Sequence, residues 1–560
     1  MNDIAIRGGT LIDGTGAPAI QADLGIKDGR IAEIGSHVRG RKEIDAGGKL
    51  VTPGFIDIHT HYDPQVLWDA SLTPSCWHGV TSVVAGNCGF SVAPVRPNTQ
   101  DLLLQTLSKV EDMNIATLQD GVTWGFESYG DYLNWIGRRG TLLNFGGFVG
   151  HTAVRTYVMG DAATEREATG DEIRRMKSVV AESIQGGALG FSTDRAGYIV
   201  GAGGKPVPSV VAAQDEVEAL MRVTSELGRG IVHVAPGESF QWLYEIQPSL
   251  KRPIQWTSIL TWPPEFKGRT PHGQKLRHHL AGRRAGLDIW VQVTCRPITQ
   301  ELRVADPISL YTNPAFNEMS RLDEAGRLKL YADRDWRRRA WDCLQSGQGP
   351  SMRWSGVHVT HSPAHPELVG DTLGEIAAGR ANTALAGTPL DAWCDIAIDD
   401  ALATRMSVCF ANDDEAGITE LLTADGCILG LSDAGAHANQ ICDAVLPTDF
   451  LAKWVRDRGV MPLAQGIHKL TGEPARILEI DRGLLKAGLP ADVLVLDYEN
   501  LDPGPTRRVA DLPAGAERLI ADQSRGIDAM IVNGIPCRLE GRPLPMDASS
   551  LPGQILRPQS

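Results

Sequence analysis

The sequence predicts an α/β protein: a TIM-like (β/α)8 barrel that carries a small β-sandwich domain built from both ends of the chain. Three observations predict it. The first fifty residues alternate apolar and polar positions between Gly-rich turns, and the same texture returns near residue 490. Between these stretches, short apolar runs alternate with segments of helical period, which is the rhythm of a parallel sheet with helical crossovers. A chain of 560 residues has room for such a barrel, an insertion and one accessory domain.

At the N-terminal end, residues 3–6, 22–26 and 30–34 read as short antiparallel strands. Residues 491–496 and 529–532, flanked by Pro490 and by Asn533-Gly534, read as their counterparts near the C-terminal end. The clearest barrel unit runs over 169–193. Thr169 and Glu172 have capping-box spacing, Ile173, Met176, Val180 and Ile184 share one helical face, and Gly186-Gly187 can end the helix before the strand 188–192. Seven more runs suit barrel strands: 55–58, 81–85, 144–149, 230–234, 254–259, 289–293 and 428–431. A surplus run, 357–360, is placed in a long insertion between the seventh and eighth strands, with Trp336, Trp341 and Trp354 either covering the barrel mouth or packing beneath a loop. The expected division is therefore 1–52 and 479–560 for the small domain and 53–478 for the barrel, with the insertion around 300–425.

Composition narrows the function classes. Hydrophobic residues make up 42% and charged residues 22%, with 61 Gly and 33 Pro, the balance of a turn-rich globular protein. A net charge of -14 with no local cluster of Lys and Arg argues against nucleic acid as a partner. No apolar run approaches the ~20 residues that span a bilayer, and no export signal opens the chain, so a soluble cytoplasmic protein without a membrane partner is expected. The nine Cys form no CxxC pair, which fits a reducing compartment. Self-association is left open.

The chemistry is concentrated in Pro53-Gly54-Phe55-Ile56-Asp57-Ile58-His59-Thr60-His61, an apolar strand that ends in two His spaced two apart. Side chains on a strand alternate with period two, so both imidazoles project to one side and can share a cation. The bare spacing is unspecific in a chain with 14 His; its setting is what identifies it. Asp433, directly after the run that ends at Leu431, falls at the C-terminal face of the barrel, where the sites of such barrels are built.

The β-rich opening segment followed by this motif resembles the amidohydrolase superfamily. Within it, His59-Thr60-His61-Tyr62-Asp63, the stretch Gly79-Val80-Thr81-Ser82-Val83-Val84-Ala85-Gly86-Asn87-Cys88-Gly89, Gly150-His151-Thr152-Ala153-Val154-Arg155, Ser432-Asp433-Ala434-Gly435-Ala436-His437 and Gly488-Leu489-Pro490-Ala491-Asp492-Val493 look like the N-acyl-D-amino-acid deacylase branch. The resemblance implies a site for one or two divalent metal ions, held by His59, His61, Cys88, His233 and Asp433. Cysteine and histidine favour Zn2+ over magnesium. It implies that Asp433 takes a proton from the attacking water and returns it to the leaving nitrogen. His151 either helps to polarise the scissile carbonyl or stands behind the ligands as a structural histidine. His437, Ser258 and Arg155 are assigned to substrate binding.

The sequence departs from that branch in two places. Ser258 and Leu260 occupy positions where the branch has a metal-binding histidine and a substrate-contacting lysine, and Ala444 replaces an arginine that grips a substrate carboxylate. His361 and His365 in the insertion could supply the missing imidazole. The expected activity is hydrolysis of a C–N amide bond in a small molecule, an N-acyl amino acid or related amide. A cyclic amide or lactone is the alternative substrate, and a non-catalytic scaffold the alternative of another class.

Overall fold

The computed structural model describes residues 1–197, 201–263, 268–311, 313–346, 352–383 and 386–558. Its centre is a parallel sheet of eight strands in sequential order: β1 (Phe55–Asp57), β2 (Val80–Ala85), β3 (Asn144–Gly150), β4 (Gly190–Asp194), β5 (Ile231–Ala235), β6 (Ile254–Thr257), β7 (Ile289–Val293) and β8 (Cys427–Leu429). These are the eight strands expected, each displaced by no more than two residues at either end. The exposed edges meet beyond the strand ends, where Thr60 bridges Ala434 in parallel and the His61 N–H donates to the Ala434 carbonyl at 2.7 Å. That closure sets the segments after β1 and β8 side by side.

The strands read as near-continuous apolar runs because both faces are covered, as parallel sheets require. Residues of β2, β3, β5 and β7 are buried throughout. The helix Gly170–Gln185 shows how sequence fixes a crossover. The Thr169 hydroxyl accepts the Glu172 N–H, the Glu172 carboxylate accepts the Thr169 N–H at 2.8 Å, and Met176, Val180 and Ile184 are fully buried.

The two ends of the chain contribute to one branched sheet of nine strands. Asn2–Leu11, Ile20–Lys27, Arg30–Gly35, Gly40–Asp45 and Leu50–Pro53 come from one end; Val493–Leu496, Ile527–Val532, Ile535–Leu539 and Arg542–Pro543 come from the other. The seam is the antiparallel pairing of Leu50–Pro53 with Val493–Leu496. Ile4, Ile6, Leu24, Val51, Val493 and Ile531 are among the residues of its core. Leu50–Pro53 runs straight into β1, so this sheet also anchors the first barrel strand.

Between β7 and β8 lies the insertion. It holds a three-stranded antiparallel sheet with Arg405–Ala411 between Ile298–Arg303 and Val357–His361, so the surplus run is a strand of this unit. The tryptophans do not cover the barrel mouth. Trp336 is fully buried in the insertion's own core with Trp393 and Tyr331, and Trp341 stacks on Trp354 with ring centres 5.8 Å apart. A patch of this size needs a core of its own, and these rings supply it. Among the described residues, no helix is long and apolar enough to cross a membrane.

Candidate metal centre

Four chain segments converge at the C-terminal ends of the strands. His59 and His61 follow β1, and both are buried. The Ser432 hydroxyl donates to the His59 carbonyl at 2.9 Å, which ties the segment after β8 to the segment after β1 and turns Asp433 toward the histidines. Asp433 Oδ1 lies 3.2 Å from His59 Nε2 and 3.9 Å from His61 Nε2. His233, in the middle of β5, sets its ring edge against His59 with centroids 5.4 Å apart and its face against Phe148.

Cys88 arrives on a tight turn after β2. Gly86, Cys88 and Gly89 all have positive φ, at 74°, 53° and 77°. A Cβ on Gly86 would lie 2.1 Å from the Phe148 carbonyl oxygen, and one on Gly89 would lie 2.8 Å from the Asp194 nitrogen, so only glycine fits either position. The Asp63 carboxylate accepts the Gly86 N–H at 2.9 Å, and the Asn87 amide donates to the carbonyls of Thr60 and Val84. Held in this way, Cys88 Sγ sits 3.4 Å from His59 Nε2. One ligand atom from each of His59, His61 and Cys88 falls within 4.8 Å of the others.

Protonation at this cluster follows from burial. Desolvation lowers the pKa of His61 and of His233 well below the ordinary histidine value, with neighbouring histidines adding to the effect, so both rings are neutral and carry a free lone pair. Burial, and then the charges of Glu111, Asp194 and Asp433, push the Cys88 thiol well above its usual range. A nearby divalent cation reverses that logic and favours the thiolate. His61 Nδ1 and His233 Nδ1 are buried without a hydrogen-bond partner, and at His233 a cation would relieve that expensive condition. His59 is the complement: its Nδ1 pairs with Gln292 Oε1, which leaves Nε2 to face Asp433 and Cys88. Two neutral imidazoles, a thiol and a carboxylate form a donor set suited to zinc.

Of the other expected site residues, His151 and Arg155 lie away from this cluster. His151 is fully buried, with Nδ1 2.9 Å from Thr193 Oγ1 and Nε2 2.9 Å from Glu216 Oε1, so neither ring nitrogen is free to reach a substrate carbonyl. Arg155, also fully buried, ion-pairs with the same Glu216 and donates to the carbonyls of Ala163 and Arg166. Both residues therefore belong to an interior polar network instead of a substrate surface. Ser258 follows β6 and is half-buried, and Ala444 is buried. His361 is exposed at the end of its strand and His365 pairs with Asp399 at 2.9 Å, so neither supplies the missing imidazole.

The structure also brings in residues that the motifs did not indicate. Glu111, at the end of the helix Gln100–Val110, places Oε1 3.4 Å from His61 Nδ1 and Oε2 4.0 Å from His437 Nε2. Asp194, at the end of β4, is buried, and desolvation raises its carboxyl to about 8. Gln292 stands on β7 behind His59. A cavity of about 240 Å³ opens beside the Asp433 loop, lined by Gly435, Trp68, Met113, Asp112, Arg303 and Arg508 among others.

With this geometry in place, comparison decides the family. Residues 42–340 match the amidohydrolase family. The chain belongs to that family. A D-aminoacylase of Alcaligenes xylosoxydans xylosoxydans is 28% identical, covering 95% of this chain and 94% of the relative. A solved D-aminoacylase, described as having a binuclear metal centre activated by one metal and attenuated by a second, superposes with a TM-score of 0.68 at 25% identity over the whole of both chains. The N-acyl-D-glutamate deacylase of Bordetella bronchiseptica, solved with zinc and a phosphonate mimic of the tetrahedral intermediate, gives 0.68 at 27% identity, covering 99% of each chain. As an amidohydrolase, the protein is a hydrolase of carbon–nitrogen bonds other than peptide bonds and works with a divalent metal.

Proposed function

We propose that this amidohydrolase cleaves the amide bond of an N-acyl amino acid or a closely related small amide, with Asp433 as the proton carrier. The observation that carries the reading is the meeting of Asp433 Oδ1 with His59 Nε2 at 3.2 Å and His61 Nε2 at 3.9 Å, in a centre that also holds Cys88. His59, His61 and Asp433 would hold one divalent cation, with Cys88 and His233 as the remaining donors, and zinc suits this set. When bound, the cation supplies Lewis acidity that brings the pKa of water from about 15.7 toward ~7 and polarises a carbonyl.

The side chains of the chain do the rest. Asp433 is 29% exposed, so its carboxylate reaches substrate while one oxygen faces the imidazoles. It accepts the proton of the attacking water and delivers it to the amide nitrogen, which leaves as an amine only when protonated. His59 is held in one orientation by Gln292, and His61 and His233, lowered by burial, do not compete for that proton. His437, half-buried beside Glu111, stands at the edge of the centre as a substrate contact.

Substrate polarity is read from the cavity. Trp68, Met113 and Leu118 offer apolar surface for an acyl chain, and Arg303 lines the same cavity with Asp112, on which its charge acts. Its guanidinium, in place of the arginine absent at position 444, suits a carboxylate. The D-aminoacylase and N-acyl-D-glutamate deacylase relatives support this substrate class. Zinc-loaded protein assayed against D- and L-N-acyl amino acids, cyclic amides and lactones tests it. Release of free amino acid from the D-series is the expected result, and turnover confined to lactones would overturn it.

A further inference from the structure

Glu111 is placed by its backbone and used by its side chain for something else. Its N–H donates to the Leu107 carbonyl at 2.9 Å to close the helix, and its own carbonyl accepts the His437 N–H at 2.7 Å. Neither bond needs the carboxylate. That carboxylate is only 6% exposed, and among the described residues its ion-pair partners are His61 and His437, with no lysine or arginine in reach. A buried carboxylate without a fixed cation is costly, so its retention calls for a positive partner at this spot.

The facing group has the matching deficiency. His61 Nδ1, 3.4 Å from Glu111 Oε1, is buried and has no hydrogen-bond partner. The neighbouring ligand shows what satisfies such a nitrogen: Gln292 Oε1 accepts the Nδ1–H of His59 and leaves Nε2 facing Asp433. A ring nitrogen that ligates a metal is oriented by the hydrogen bond made at the other nitrogen.

We propose that Glu111 is the positioning carboxylate of His61. It accepts the Nδ1–H, fixes Nε2 toward the cation shared with His59 and Asp433, and with its second oxygen holds His437 at the edge of the centre. This rests on the reading that those three residues hold a divalent cation. Because the carboxylate stands behind the ring, its effect is on metal affinity.

The test compares zinc dissociation constants, measured by competition with a chromogenic chelator, for wild type, Glu111→Ala and Glu111→Gln, together with the thermal midpoint of each metal-free protein. Loss of such a partner costs about 10–100-fold in metal affinity. That loss is expected for Glu111→Ala, and a smaller one for Glu111→Gln, whose amide oxygen still accepts but carries no charge. The metal-free midpoints should hold or rise, since a buried unpaired carboxylate has been removed. Zinc affinity within about twofold of wild type in both variants overturns the proposal, as does an affinity loss matched by a fall in the metal-free midpoint, which marks a structural role. Should Glu111→Ala fail to fold, the isosteric Glu111→Gln carries the test. A wild type that binds no zinc overturns this proposal together with the metal reading, whereas unchanged variants of a zinc-binding wild type overturn this proposal alone.

Discussion

At the scale of single residues, Asp433 bears the heaviest chemical load in the proposed reaction. Asp433→Asn keeps the size of the side chain and removes its capacity to carry a proton, so kcat should fall by about 10²–10⁴-fold, the usual worth of a general acid–base group, with little change in thermal midpoint. An equal fall in zinc content would instead show that the aspartate serves mainly as a ligand. Chelation should abolish turnover and lower the midpoint, and zinc at about 100 times its Kd should restore roughly 2.7 kcal/mol of stability. The convergence of His59, His61 and Asp433 was legible because each follows a recognisable strand within four residues of its end, and closure of the sheet does the rest. Glu111 was not legible. Its approach to His61 and His437 depends on where one helix stops, and no periodicity encodes that. The choice between the two readings of His151 was not legible for the converse reason: its partner Glu216 comes from the helix Gln214–Leu227, 65 residues on, and only the folded chain shows both ring nitrogens occupied.

At the scale of elements, two turns carry testable energies. The capping box of Gly170–Gln185 joins Thr169 to Glu172, so Thr169→Ala should cost ~1 kcal/mol in a denaturant titration. Glu172 is held down to about 2, first by its hydrogen bonds with Arg166 and then by the Thr169 N–H. A depressed carboxyl stabilises the fold above its ordinary pKa near 4.5 and loses that contribution as pH falls toward about 2, so the cost of Thr169→Ala should shrink in strong acid. The turn after β2 is less forgiving. Gly89→Ala puts a Cβ against the Asp194 backbone at a φ of +77°, which should cost more than about 1 kcal/mol and displace Cys88. Unchanged stability and zinc affinity in that variant would refute the account of the turn. The capping box was readable from residue spacing alone. The glycine turn was readable only as a sequence motif, because the close approach of β3 and β4 that demands glycine is a tertiary fact.

At the scale of the whole molecule, buried histidines contribute to the response to acid. His78 sits fully buried between Thr448 Oγ1 and the Ala521 carbonyl, and desolvation lowers its pKa to about 4; His279, near Tyr244 and Asp425, is lowered to about 4 by burial and then by Arg283. The unfolded chain, titrating near 6.5, binds more protons than the native state between that value and about 4. Each of these two histidines should therefore take away up to about 1.4 kcal/mol per pH unit as pH drops through this window, while Asp57, Asp63 and Asp194, raised by burial to about 7, 7 and 8, act in the opposite sense. Urea midpoints at pH 7, 5.5 and 4 measure the slope, and a His78→Gln variant that keeps the full slope would refute the assignment. The barrel itself was legible because a sheet covered on both faces writes continuous apolar runs into the chain. The insertion's separate core was not, since tryptophans give no sign of whether they pack among themselves or over a neighbour.

The seam between Leu50–Pro53 and Val493–Leu496 has a consequence for biosynthesis. Those partners emerge from the ribosome some 440 residues apart, which at about 5–20 residues per second is a wait of roughly 20–90 s. During it, the early strands present an unpaired amide edge to solvent, a template for association between nascent chains. Pulse-labelled polypeptides arrested before residue 493 should accordingly recruit holdase chaperones, and those released after it should not.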